Sequence, residues 1–396
     1  MEFKKIEEIN EYKSKSVNPQ KNPNVWYELY SIPSFDSKLP EIVRGKDIAS
    51  SKQIVEEGDI LISKINPRIN RVWIVNNHSK HLKIASSEWI VVRTKKYNNK
   101  YLSYYFKSDR FKQLLSSQVT GIGGSLTRAQ PKNVKNYKVL LLSVNKQRKV
   151  VELLDEIGKV IDKRLLQIKA LEQLTQNVFL EMYGDIRRNK KGWDIVSLED
   201  ICENIIDCPH STPKYSQETT EYACIRTSEL SNGYIKWGSM KYVDESEFEK
   251  RIKRLNPEIG DIVYGREGTF GEAVILTDEK RFCLGQRVML FRPDYKVVNS
   301  IYLWAMVRSK GVYHQALSKT SGSTVGHVNV KDVKKFKCFL PPLDSQNEFA
   351  QKVKKIEIQK KILHKSYDET IDMYNSIMQR AFKGELFTEE KPSILK

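Results

Sequence analysis

The residues of this 396-residue chain best suited to chemistry are cations set in short polar loops. Lys64-Ile65-Asn66-Pro67-Arg68-Ile69-Asn70-Arg71 follows an apolar run and carries three of them. Ser125, Thr127 and Arg128 follow the turn at Gly123-Gly124. In the second half, Arg266 lies between Gly265 and Gly268, and Ser323 and Thr324 occupy a similar turn. His210, Ser211, Thr212 and Lys214 form a polar loop marked out by Pro209 and Pro213. An arginine can fork onto two acceptors of a base edge, and serine or threonine can reach a phosphate or a base. These side chains, with Lys64, Asn66, Arg68 and Arg71, are therefore the candidate contacts to a polyanion.

Other chemistries fit poorly. Asn66-Pro67-Arg68 and Asn256-Pro257-Glu258 are not the Asn-Pro-Pro-aromatic loop of an amino-methyltransferase. Gly121-Ile122-Gly123-Gly124 does not open a dinucleotide-binding helix, and no G-x-x-x-x-G-K-S/T occurs. Cys202, Cys208 and His210 have poor spacing for zinc, and no second pair completes a site. His314 and His327 read as surface or satisfied histidines, and no nucleophile–base–acid set stands out. No catalytic residue, metal ligand or cofactor site is expected. Five cysteines without a C-x-x-C pair suit a reducing cytoplasm. No run of 18 apolar residues and no apolar leader occur, so neither a membrane span nor a secretory signal is expected.

The loops need a scaffold, and the sequence contains one twice. Stepping by four and three along residues 147–184 gives Val150, Leu154, Ile157, Ile161, Arg164, Ile168, Leu171, Thr175, Val178 and Met182. Residues 346–383 repeat this 199 positions later with Phe349, Val353, Ile356, Lys360, Leu363, Tyr367, Thr370, Tyr374, Ile377 and Ala381. Each is a heptad seam on a helix of roughly 57 Å, and one narrow stripe on each of two equal helices suits mutual pairing.

The offset continues upstream, where Lys132-Asn133-Val134-Lys135 matches Lys331-Asp332-Val333-Lys334, and drifts to 202 where Gly58-Asp59-Ile60 matches Gly260-Asp261-Ile262. The chain is a tandem duplication. It divides into a globular unit 1–145, a helix 146–186, a second globular unit 187–345, a helix 346–388 and a tail 389–396. Each globular unit mixes strand-like runs (Ile60–Ile62, Trp89–Val92, Val139–Leu142; Ile262–Tyr264, Val288–Phe291, Phe336–Leu340) with helical segments near Lys100–Leu115 and Val298–Ala316.

The formal net charge of +18 separates along the same lines. Residues 1–145 carry +12, the first helix block zero, residues 187–345 +4, and residues 346–396 +2. Two basic domains fixed to a stiff pair of helices would touch an extended ligand at two places. Duplex DNA, with a groove repeat of 34–36 Å, fits that geometry.

At this point the chain resembles the specificity subunit of type I restriction–modification enzymes. The resemblance rests on Thr320-Ser321-Gly322-Ser323-Thr324, then Val330–Cys338, then Phe339-Leu340-Pro341-Pro342-Leu343-Asp344-Ser345-Gln346 opening the second helix. The first copy, Leu140-Leu141-Leu142-Ser143-Val144-Asn145-Lys146-Gln147, lacks the prolines. The resemblance implies an α+β fold of two similar α/β target recognition domains separated by two long helices that pair as an antiparallel coiled coil. It implies a non-catalytic cytoplasmic subunit that reads one half of an asymmetric bipartite duplex site with each domain. The helices would help recruit two methyltransferase subunits, and whether motor/nuclease subunits join them is left open. S-adenosylmethionine, ATP and Mg are expected only in such partners. Rival readings are a specificity subunit of another methylation system, a basic coiled-coil adaptor for RNA or acidic proteins, and a nuclease with an unrecognised site.

Overall fold

The computed structural model describes residues 1–117, 119–120, 127–268, 271–277, 280–320 and 326–387. Two long helices, Val144–Tyr183 and Leu343–Lys383, dominate it. Each stops where a glycine takes up left-handed backbone, Gly184 and Gly384, both at φ 82°. That is a conformation a residue with a Cβ adopts only at a cost, so these glycines end the helices. Every member of both seams is buried or half-buried.

The chain divides into two compact units, Met1–Lys163 with Ser366–Lys396, and Arg164–Lys365. Each combines one β-rich lobe with half of each long helix. In the first unit, Val150, Val151 and Leu154 share a buried cluster with Met378, Ala381 and Phe382. In the second, Phe179 and Tyr183 share one with Phe349 and Val353. The start of one helix therefore meets the end of the other, an antiparallel pairing, in each unit. The helix ends also enter the lobes: Phe382 packs on Tyr101 and Tyr105 at 5.5 and 5.3 Å, and Tyr183 packs on Tyr302 at 4.9 Å. The seam thus pairs the helices and docks the lobes at once. Lys360, on the seam and 3% exposed, donates to the Tyr234 hydroxyl, which donates to Glu357. Burial pushes its ammonium down from the usual lysine range.

The first lobe holds a five-stranded sheet in the order Ser16–Val17, Lys52–Ile54, Leu82–Ala85, Trp26–Tyr30, Glu41–Arg44, and a three-stranded antiparallel sheet centred on Ile60–Ser63. The second holds a three-stranded sheet centred on Tyr222–Ile225 and a four-stranded one in which Ile262–Gly265 lies between Val288–Pro293 and Ala273–Ile275. Both lobes keep one parallel pair, Trp26–Tyr30 with Leu82–Ala85 and Tyr222–Ile225 with Arg281–Leu284. The helical segments expected near Lys100–Leu115 and Val298–Ala316 are each two helices. They break at Ser108 and Ser309, both extended near ψ 150°, and Ser309 caps the next helix by accepting from the Val312 amide.

Two duplicated devices fix these lobes. Before each central strand, a buried carboxylate, Asp59 or Asp261, accepts the amide of Glu56 or Glu258 at 2.8 Å. Each also receives a two-pronged arginine, Arg93 at 2.7 and 2.7 Å or Arg292 at 3.0 and 2.8 Å. The carboxylate holds each guanidinium above its ordinary pKa. At the helix starts, Gln147 accepts from the Asn98 amide and donates to the Leu142 carbonyl, while Gln346 accepts from Asn299 and donates to the Pro341 carbonyl. The absence of prolines in the first copy leaves this arrangement intact.

Candidate nucleic-acid interface

In the first unit, the strand Ile60–Ser63 leads into a loop shaped by two asparagines. Asn66 and Asn70 take left-handed backbone at φ 48° and 49° around the short turn Pro67–Ile69. Asparagine tolerates that region better than most side chains. The Asn66 amide donates to the Thr127 carbonyl, the Ala129 amide to Lys64, and the Lys64 amide to Glu88. These bonds gather three segments, 64–71, 86–89 and 127–129. Arg68 is exposed at the turn. Arg128 is exposed and rests on Glu88 at 3.1 Å. Lys64 is half-buried and donates to the Ser87 carbonyl, and burial pushes its ammonium down from the usual lysine range against the opposing pull of Glu88. Thr127 is buried, and Arg71 is half-buried with an Nε that meets no partner among the described residues.

The second unit builds the same junction from different side chains. The Arg266 amide donates to the Arg287 carbonyl, the Val328 amide to Arg266, and the Gly268 amide to Gly326. Arg266 is only 8% exposed. Its Nε and Nη2 reach Asp207 at 2.8 and 3.1 Å, and its Nη1 lies 3.0 Å from His327 Nδ1. It is not the solvent-facing fork that its place between glycines suggested. Each of its three nitrogens has a partner inside the fold, so it ties Asp207 to His327.

Asp207 in turn lies 3.9 Å from the exposed His210. The loop that follows is anchored from below. The buried Arg251 donates to the Ser211 carbonyl at 2.8 Å, and Gln286 donates to the Thr212 hydroxyl at 3.2 Å. Lys214 is exposed beyond the buried Pro213. The structure thus brings His210, Ser211 and Thr212 to the junction of Arg266 and His327. Ser125, Ser323 and Thr324 lie outside the described residues.

Several residues of the junction escape sequence reasoning: Glu88, Asp207, Glu267, Arg287 and His327. A signal existed for His327, which stands 199 residues after Arg128, the offset of the repeat. Burial pushes the thiols of Cys202 and Cys208 up, and that of Cys338 up to about 12, away from the thiolate a nucleophile needs. Among the described residues no cluster of His, Cys, Asp and Glu could hold a metal, and no helix is long and apolar enough to cross a membrane.

The duplicated junction can be set beside known proteins. A family model described as "type I restriction modification DNA specificity domain" matches residues 1–173 and again 190–371. The chain belongs to this family. Both matches include a junction and part of a long helix. The chain is 21% identical over 362 residues to the type I restriction enzyme MjaVIII specificity subunit of Methanocaldococcus jannaschii, covering 86% of this chain and 81% of that one. It is also 21% identical over 178 residues to the EcoBI specificity subunit of Escherichia coli, where the match spans 43% of this chain and 37% of the relative. In fold it resembles a chain from a structure of the type I R-M system concerned with complex assembly, with TM-score 0.63, 18% identity and 97% and 98% coverage. It resembles the type I S subunit from M. genitalium less closely, with TM-score 0.50, 11% identity and 96% coverage of each chain.

Proposed function

We propose that this chain is the DNA-recognition subunit of a type I restriction–modification enzyme. Each lobe reads one half of a bipartite duplex site, and the long helices carry partner methyltransferase subunits. The supporting observation is the duplicated junction, where the same backbone bonds display different side chains: Lys64, Arg68, Glu88 and Arg128 in one unit, Arg266, Arg287 and His327 in the other. Identical frames with different side chains suit two readers of unlike half-sites. Lys and Arg supply the phosphate attraction, and base-edge contacts supply the choice of sequence. On this reading the chain has no catalytic centre. S-adenosylmethionine, ATP and Mg belong to the methyltransferase and motor/nuclease partners, and the assembly works in the cytoplasm.

Methylation mapping of a genome, with and without this chain alongside its methyltransferase, tests the proposal. The expected result is one asymmetric two-part motif that appears only when the chain is present. Binding that prefers single-stranded RNA to duplex DNA in a gel shift would favour the adaptor reading instead.

A further inference from the structure

At each junction a half-exposed arginine rests on a partly exposed glutamate. In the first unit Arg128 Nη2 lies 3.1 Å from Glu88 Oε1, with side chains 53% and 29% exposed. In the second, Arg287 Nε lies 3.2 Å from Glu267 Oε1, with side chains 56% and 25% exposed. The clasps match in distance and exposure, yet their chain positions differ. Lys64 donates its amide to Glu88 and Arg266 donates its amide to Arg287, so Arg287 stands where the first unit has Glu88. Ile65 bridges to Arg128 and Glu267 bridges to His327, so His327 stands where the first unit has Arg128. The arginine lies on opposite arms of the same frame in the two units, and each has a carboxylate beside it.

Folding gives little reason for such a pair, because exposed ion pairs contribute weakly to stability. Arg287 also sits at φ 66°, a left-handed backbone that costs a residue with a Cβ. The neighbouring Gln286 is tied to Thr212, and the Arg287 carbonyl is held by the Arg266 amide. A strained, exposed cation at the edge of a proposed recognition surface fits a functional role better than a structural one. Two other cations of the junctions are less suited to reading bases, since Arg266 is turned inward onto Asp207 and His327 and Lys64 is tied to a carbonyl.

Resting on the DNA-recognition reading, we infer that Arg128 and Arg287 are the specificity-determining cations of the two half-sites, with Glu88 and Glu267 as positioning residues. Each carboxylate engages one edge of its guanidinium and leaves the remaining donors to fork onto a base, guanine O6 and N7 being the best match. Because the forks stand on opposite arms of the same frame, the two half-sites differ in the position that each arginine reads.

The test uses the whole chain with its methyltransferase subunits and a panel of duplexes in which each base pair of the mapped site is changed in turn. Arg287→Asn removes the guanidinium while keeping a side chain that accepts left-handed backbone. It is expected to lose roughly tenfold to hundredfold discrimination at a single base pair of one half-site, with the other half-site read as before. Arg128→Ala is expected to do the same in the opposite half-site. Glu267→Gln should weaken discrimination at the same base pair as Arg287→Asn, a change that a merely structural role would not produce. Unaltered discrimination in both arginine variants, or uniform loss across both half-sites, overturns the assignment. If the unmodified complex shows no two-part preference, the recognition reading itself fails and this inference falls with it.

Discussion

A guanidinium recognises a base only when its donors are free, and that divides the arginines of the two junctions. Arg68 is exposed on a rigid turn between two left-handed asparagines. Arg68→Ala is expected to weaken binding by about 1–3 kcal/mol, alike for all sequences if the contact is to phosphate, with the unfolding midpoint unchanged. Arg266 is buried against Asp207 and His327. Removing it leaves the Asp207 carboxylate, itself only 10% exposed, without its cation. Arg266→Ala is therefore expected to cost about 3–5 kcal/mol in urea unfolding, because a buried charge loses its partner. Lost binding with undiminished stability in that variant would return Arg266 to the role of a direct reader. The sequence marked both arginines alike, since each stands in a Gly- or Asn-shaped loop after a strand. The partner that separates them, Asp207, lies 59 residues before Arg266, beyond what local spacing can show.

At the level of elements, what could be read from the chain was what repeats locally. The heptad stripes located both long helices, and the strand-like runs Ile60–Ile62 and Ile262–Tyr264 located both central strands. What could not be read was pairing over distance. Glu2–Lys5 closes the first lobe by pairing with Lys138–Leu141, and Ile195–Ser197 does the same with Lys337–Phe339. Short strands of this kind have no periodicity that names a partner more than 130 residues away. The glutamines at the helix starts combine both cases, visible as a repeat but not as a bracket. Gln147 and Gln346 are 1% and 0% exposed and join the caps of the helices Asn99–Lys107 and Ser300–Val307 to the long helices. Truncating either leaves buried backbone groups unsatisfied, so Gln147→Ala and Gln346→Ala are each expected to cost about 1–3 kcal/mol. The two sites lie in different units and share no partner, so the double variant should lose the sum in denaturant unfolding. A marked departure from the sum would show that the brackets are coupled.

For the whole molecule, the uneven charge becomes a statement about how each half of a site is bound. Residues 1–145 carry +12 and residues 187–345 only +4. The second lobe also turns four of its arginines inward, in the pairs Arg226–Glu229, Arg251–Glu247, Arg266–Asp207 and Arg292–Asp261. A cation held by a carboxylate inside the fold neutralises no phosphate and releases no counterion. Binding through the first lobe should therefore depend on salt more steeply than binding through the second, since the slope of log K against log salt scales with the phosphates neutralised. With the chain and its methyltransferase partners, a duplex whose second half-site is scrambled isolates the first contact, and the converse duplex isolates the second. The first is expected to give the steeper slope over a salt titration. Equal slopes would mean that partner subunits supply the phosphate contacts on both sides. A steeper slope for the second half-site would mean that its internal ion pairs open on DNA, so that Arg266 and its neighbours change partners when the site is bound.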